Sequence, residues 1–137
     1  MRLERKKVLI VDDSAINRRI LADILSPEYQ IIEAKDGENA LQCLRSFGDE
    51  LALVLLDIFM PDVDGFAVLR EMNKQGWIDR IPVITISSDG SDDNIDKAYE
   101  LGVTDFIRKP FDTLVVKQCV ANTIAQDKNT EKNWSFA

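Results

Sequence analysis

Three carboxylates, a hydroxyl and an ammonium stand in this sequence where short apolar runs stop. Asp12 and Asp13 follow KVLIV (7–11), Asp57 follows LALVLL (51–56), Ser87 closes PVITIS (82–87), and Lys109 comes just after DFI (105–107) with Pro110 behind it. If these runs are parallel strands of one sheet, the side chains meet at one edge. Carboxylates crowded there repel, and raise one another's pKa, unless a cation sits among them. The chain has no histidine and no suitably placed thiol, so the donor set is oxygen. That suits a hard divalent ion, Mg2+ or in its place Mn2+, which takes carboxylates, a carbonyl and waters and leaves room for phosphate oxygens. The same residues supply phosphoryl chemistry. Asp57, ionised at neutral pH, needs no general base to attack phosphorus once the repulsion between two anions is cancelled. The ion and Lys109 would cancel it, and Ser87 would donate a hydrogen bond to the phosphoryl group acquired.

Singly, each residue has an ordinary structural reading. Asp12, Asp13 or Ser14 would cap a helix, Asp57 and Asp64 would be turn residues, Ser87 or Ser88 would cap a loop, and Lys109 would be a solvated lysine. Their joint placement at the ends of four different strands is what favours chemistry.

The elements that must deliver them are legible from period. KVLIV, QIIEA (30–34), LALVLL, PVITIS and DFI are short, apolar and rich in β-branched residues, and read as five strands. Between them run segments of helical spacing: 14–25 with Ile16, Ile20, Leu21, Ile24 and Leu25 on one face, 37–48 with Ala40, Leu41, Leu44 and Phe47, 65–76 with Phe66, Leu69 and Met72, the more polar 93–102, and 112–126. Gly48, Gly76 and Gly102 stand where helix C-caps are expected. Strands apolar on both faces, alternating with helices, predict a doubly wound α/β domain with a five-stranded parallel sheet covered on both sides. In such sheets, ligands bind beyond the carboxyl ends of the strands.

Composition narrows the alternatives. The 137 residues suit one domain, and the formal charge of −7 argues against a surface that grips nucleic acid or an anionic membrane. The basic start MRLERKK precedes an apolar run far too short for a signal sequence or a membrane span. Cys43 and Cys119 read as small buried thiols in a reducing, cytoplasmic setting.

In order and spacing, VDDS after the first strand, DIFMPDVDG around Asp57, ITISSD ending the fourth strand and GVTDFIRKPF resemble the receiver domain of two-component response regulators, over roughly residues 7–126. The resemblance implies a flavodoxin-like sheet ordered 2-1-3-4-5 within a receiver domain at 1–126, followed by a polar tail or linker at 127–137. It implies Asp57 as phosphoacceptor, Asp12 and Asp13 as metal carboxylates with Asp13 the direct ligand, the backbone carbonyl of Phe59 as a further Mg2+ ligand, Lys109 as the phosphoryl-contacting lysine, and a cis Lys109–Pro110 bond. Ser87 and Phe106 fall at the switch hydroxyl and switch aromatic positions, and Phe106 lacks the hydroxyl often found there. Phe59 and Asp89 would tune how long the phosphoryl group persists, Phe59 by occluding the approach of water and Asp89 either by negative charge that repels an incoming nucleophile, the favoured reading, or by positioning a water itself. The implied partner is a sensor histidine kinase or phosphotransfer protein, with output, and a possible homodimer, on the face of the fourth helix, fifth strand and fifth helix.

Rival readings fit less well. A flavodoxin-like cofactor module wants a small, uncharged phosphate loop where this chain has DDSA, and an aspartate-nucleophile hydrolase wants a second Asp where this chain has Phe59. A pseudo-receiver that only binds partners has no use for Asp13, Asp57 and Lys109 together. No effector domain fits in the eleven residues after 126, so the chain reads as a stand-alone receiver or one excised from a longer protein, with Trp134 and Phe136 either the start of a linker helix or part of a floppy terminus.

Overall fold

The computed structural model describes residues 5–60, 63–88 and 92–126. Asp89 and the tail with Trp134 and Phe136 lie outside them. Within them the chain runs β1 (Lys7–Val11), α1 (Ala15–Leu25), β2 (Gln30–Ala34), α2 (Gly37–Phe47), β3 (Leu51–Asp57), α3 (Gly65–Gln75), β4 (Val83–Ser87), α4 (Asp92–Glu100), β5 (Asp105–Arg108) and α5 (Thr113–Ala125). The strands pair in parallel in the order β2-β1-β3-β4-β5, which is the doubly wound arrangement expected. Two short 3-10 turns, Gly48–Glu50 and Trp77–Asp79, were not anticipated.

The central strands alternate between two cores with period two. Leu9 and Val11 of β1 and Val54 and Leu56 of β3 face one side, against Ala40 and Leu44 of α2 and Leu69 and Met72 of α3. Val8 and Ile10, with Leu53 and Leu55, face the other, against Leu21 and Leu25 of α1 and Val116 and Val120 of α5. Burial on both faces explains why these strands read as unbroken apolar runs. Ile16 and Ile20 depart from the expected face of α1: they are 73% and 41% exposed. At about 100° per residue, they stand roughly 140° and 100° around the helix from Leu21, so the buried stripe is narrower than the apolar stripe.

Four helices start with their own side-chain caps. Ser14, Asp36, Asp64 and Asp112 accept from the backbone N–H groups of Asn17, Asn39, Ala67 and Val115, satisfying donors the first turn leaves open. Gly76 ends α3 with φ 77°, a left-handed conformation that costs glycine little.

The turn from β3 into α3 is held by a close backbone approach. Gly65 N–H donates to the Ile58 carbonyl at 2.8 Å, and a methyl group on Gly65 would lie 2.5 Å from the Asp57 carbonyl oxygen and 2.6 Å from Ile58 Cα. Backbone cannot rotate away as a side chain can. Gly65→Ala is therefore expected to lower stability to urea by about 1–3 kcal/mol, and an unchanged unfolding midpoint would count against this packing.

Candidate functional site

The parallel sheet brings Asp12, Asp13, Asp57 and Lys109 together. One oxygen from each carboxylate can be chosen so that all lie within 4.8 Å of one another. Asp57, the last residue of β3, is 3% exposed, and Asp12, just past β1, is 0% exposed. Asp13 faces solvent. Lys109 reaches back from beyond β5, its Nζ standing 3.3 Å from both Asp12 Oδ2 and Asp57 Oδ2. The Lys109–Pro110 peptide is cis.

Backbone donors orient each buried carboxylate. Ser14 N–H donates to Asp12 Oδ1 at 2.9 Å and Phe59 N–H to Asp57 Oδ1 at 3.1 Å. Asp12 Oδ2 accepts no hydrogen bond among the described residues and has only its ion pair with Lys109. A buried anionic oxygen left this way beside two more carboxylates fits a hard divalent cation, because such ions take oxygen donors.

Burial dominates the electrostatics. It pushes the Asp57 carboxyl up from 3.8 to about 6, Asp12 adds to the rise, and Lys109 and the Phe59 N–H oppose it. Burial alone would lower the Lys109 ammonium, but Asp57 and Asp12 outweigh it and hold its pKa above the usual lysine value. Lys109 is thus a fixed positive charge.

Ser87 ends β4, and its carbonyl accepts from Lys109 N–H at 3.1 Å. With Phe59, Thr85, Asn94, Ile95 and Phe106 it lines a cleft between the sheet edge and α4. Phe106 is half-buried there, with the Arg108 guanidinium 5.6 Å from its ring centre. Phe59 is 47% exposed at the mouth of the cleft. Asp89 falls outside the described residues.

Sequence reasoning missed three contributors. Arg18, one turn into α1, donates from Nη1 to the Asp12 carbonyl at 2.7 Å and from Nε to Glu33 at 3.0 Å. A long cation on the first turn after a strand-end carboxylate was the available signal. Thr85 is buried and lines the same cleft as Ser87. Asp105 collects donors from three elements: Tyr99 Oη of α4 at 3.4 Å, Phe106 N–H of β5 at 2.8 Å and Cys119 Sγ of α5 at 3.3 Å. Burial, and then Asp105, push the Cys119 thiol up to about 12, and burial raises the Cys43 thiol; both cysteines are free, and they are half-buried where full burial was expected.

A parallel sheet in this order, with carboxylates from β1 and β3 facing a lysine from β5, defines a receiver-type site. Residues 8–121 match the model of the response regulator receiver domain, and the chain belongs to that family. It is 35% identical over 133 residues to a probable transcriptional regulator, ycf27, of Porphyridium aerugineum, covering 96% of this chain and 53% of that relative. It is 31% identical over 104 residues to two-component response regulator ORR5 of Oryza sativa subsp. japonica, covering 75% and 77%. NtrX from Brucella abortus superposes with a TM-score of 0.85 at 29% identity, covering 97% of this chain and 30% of NtrX. The chain spans about half the length of the ycf27 relatives it matches. No helix among the described residues is long and apolar enough to cross a membrane.

The raised Asp57 pKa has a consequence for stability. Between 3.8 and about 6 the folded state holds a proton that the unfolded state has released, so stability falls as pH rises through that window. Asp57→Asn is expected to stabilise the metal-free protein at about pH 7.5 by about 1–3 kcal/mol, a gain that fades towards about pH 4. Thermal unfolding of both proteins across this range checks it, and a gain that does not vary with pH would exclude Asp57 ionisation as the cause.

Proposed function

We propose that this receiver domain, residues 1–126, is a phosphoacceptor switch in which Asp57 takes a phosphoryl group from a phosphohistidine, and that 127–137 are a tail or linker. The observation that carries the reading is the pairing of one ammonium, Lys109, with two buried carboxylates at 3.3 Å, in a receiver fold. With no histidine in this chain, the donor is supplied in trans by a sensor histidine kinase or phosphotransfer protein. An Asp57 oxygen forms a bond to phosphorus as the phosphorus–nitrogen bond to the donor imidazole breaks, and the imidazole leaves with that electron pair. Lys109 faces the developing charge, and the Phe59 N–H holds the other Asp57 oxygen in place.

Asp12, Asp13, Asp57 and the Phe59 backbone carbonyl would hold Mg2+, or Mn2+ in its place. When bound, the ion supplies positive charge against the phosphoryl oxygens. The reaction is expected to label wild type and not Asp57→Asn, and chelation is expected to abolish labelling. Acetyl phosphate with mass-spectrometric mapping reads both, and equal labelling of Asp57→Asn would overturn the assignment.

Output is proposed on the face of α4, β5 and α5, through Ser87 and Phe106, with homodimerisation there one form of readout. Among its described residues, α4 buries only Ala98 against the core, and weakly anchored elements are the ones that move. Hydrogen exchange with and without beryllium fluoride is expected to change in α4 and β5. Changes confined to α1 and α2 would refute this route.

Phe59, exposed beside the acceptor, is proposed to occlude the water that hydrolyses the acyl phosphate, with Asp89 adding negative charge against an incoming nucleophile. Phe59→Asn is expected to speed loss of the phosphoryl group about tenfold, equivalent to roughly 1.4 kcal/mol of barrier, with little change in Mg2+ affinity. A loss rate at or below that of wild type would remove occlusion as the cause.

A further inference from the structure

The strand ladder of β1 ends at Val11, and its last pairings leave the next carbonyl without a strand partner. Asp12 still donates its N–H to the Ala34 carbonyl at 3.2 Å, but its own carbonyl oxygen is met by a side chain, Arg18 Nη1, at 2.7 Å. The same guanidinium gives Nε to Glu33 Oε1 of β2 at 3.0 Å. Arg18 is largely shielded, its side chain 17% exposed, whereas Glu33 is 46% exposed. Arg18 itself is held by α1, its backbone N–H donating to the Ser14 carbonyl at 3.0 Å.

The planar fork fixes two directions at once. One branch is anchored on β2 and the other is aimed at the peptide joining Asp12 to Asp13. We infer that Arg18 is a positioning residue for the acidic cluster: by clamping that peptide between α1 and β2, it sets where the carboxylates of Asp12 and Asp13 stand for a divalent cation. It touches no phosphoryl oxygen and ligates no ion, and acts only through the backbone of the residues that would. The inference rests on the proposed reading of the cluster as a divalent-ion site.

Two effects of removing Arg18 oppose each other. Deleting a positive charge near three carboxylates strengthens cation binding by Coulomb attraction. Freeing the peptide between Asp12 and Asp13 weakens it, because groups that orient metal ligands typically contribute about tenfold or more to affinity. Arg18→Lys separates the two, since it keeps the charge but cannot bridge both acceptors in one plane.

The test is titration of the whole chain with Mg2+ at fixed pH and ionic strength, together with the 15N shift of the Asp13 amide in metal-free protein. Positioning predicts that Arg18→Lys and Arg18→Ala both weaken Mg2+ binding, by about tenfold for Arg18→Ala, and that both move the Asp13 amide, whose peptide has lost its hydrogen bond. Tighter binding in Arg18→Ala with unchanged binding in Arg18→Lys would overturn the inference in favour of charge alone. Unchanged affinity in both variants would overturn it outright. Should Arg18→Ala fail to fold by circular dichroism, Arg18→Lys decides by affinity and amide shift. Asp13→Asn, run alongside, separates the levels. If wild type binds no Mg2+, or Asp13→Asn binds it equally well, the cluster is not the ion site and both readings fall. If Asp13→Asn alone loses binding, only the role of Arg18 falls.

Discussion

Two almost completely buried carboxylates share one ammonium at the end of this sheet, and the rest of the site is arranged around that imbalance. Asp12 and Asp57 are almost completely buried, Asp13 is beside them, and Lys109 stands 3.3 Å from both buried members. With all groups ionised, three negative charges face one positive charge, a local deficit of two. Uncompensated anions in a poorly hydrated place are costly, and a proton is the one compensation the metal-free chain has at hand, which is why Asp57 holds its proton up to about 6. A deficit of two is also what a divalent ion cancels. The same imbalance that weakens the resting domain is one that a bound divalent ion would relieve.

The fold tolerates this because it separates structural carboxylates from the cluster. Asp36, Asp64 and Asp112 also stand at the carboxyl edge of the sheet, yet each accepts from the third backbone N–H of its own helix. Their charge lies against the positive end of a helix dipole. Asp12 and Asp57 accept instead from an N–H two residues on, in the loop, which leaves a second oxygen of each turned towards Lys109. The close approach of Gly65 to Asp57 and Ile58 keeps the β3–α3 turn tight enough to hold that orientation. The distinction is one of backbone partner, since residue type is the same.

That distinction also marks what the amino-acid sequence could reveal. Strand and helix periods were legible because the central strands are buried on both faces and α2 and α3 present clear apolar stripes. Asp57 was legible because an apolar run ending in a charge is unusual, and Lys109 because a lysine followed by Pro110 comes just past the last strand. Asp64, read in its ordinary sense as a turn residue, is the N-cap of α3, while Ser14, and neither Asp12 nor Asp13, caps α1. Residue type alone could not choose among those three neighbours, because the choice depends on where the chain leaves β1. Ile16 and Ile20 misled for a related reason: periodicity shows which residues share a side, and only packing shows how wide the covered side is. Arg18 escaped notice because its target is a backbone carbonyl, which no residue type marks, so its place one turn after a strand-end carboxylate was the one signal there to read.

The architecture is unequal across the sheet, and that inequality bears on how a change at the site would travel. β1 and β3 are sealed between α1 and α5 on one side and α2 and α3 on the other, so displacement there disturbs close-packed side chains at high cost. Towards α4 the packing thins, although β4 and β5 keep Val83, Ile84, Ile86 and Ile107 buried in the two cores. α4 buries Ala98 alone among its described residues, a cleft lies between α4 and the sheet edge, and polar links take over from packing, with Asp105 tying α4, β5 and α5 through Tyr99, Phe106 N–H and Cys119. The Ser87 carbonyl and the Lys109 N–H are joined across β4 and β5, so the hydroxyl-bearing residue and the charge-bearing residue are mechanically one unit on the looser side. A new anion held between them would pull on strands whose inner faces are packed, Ile84, Ile86 and Ile107 against Val116 and Val120 of α5. In this half of the molecule it is therefore the lightly anchored α4 whose displacement would disturb the least packing.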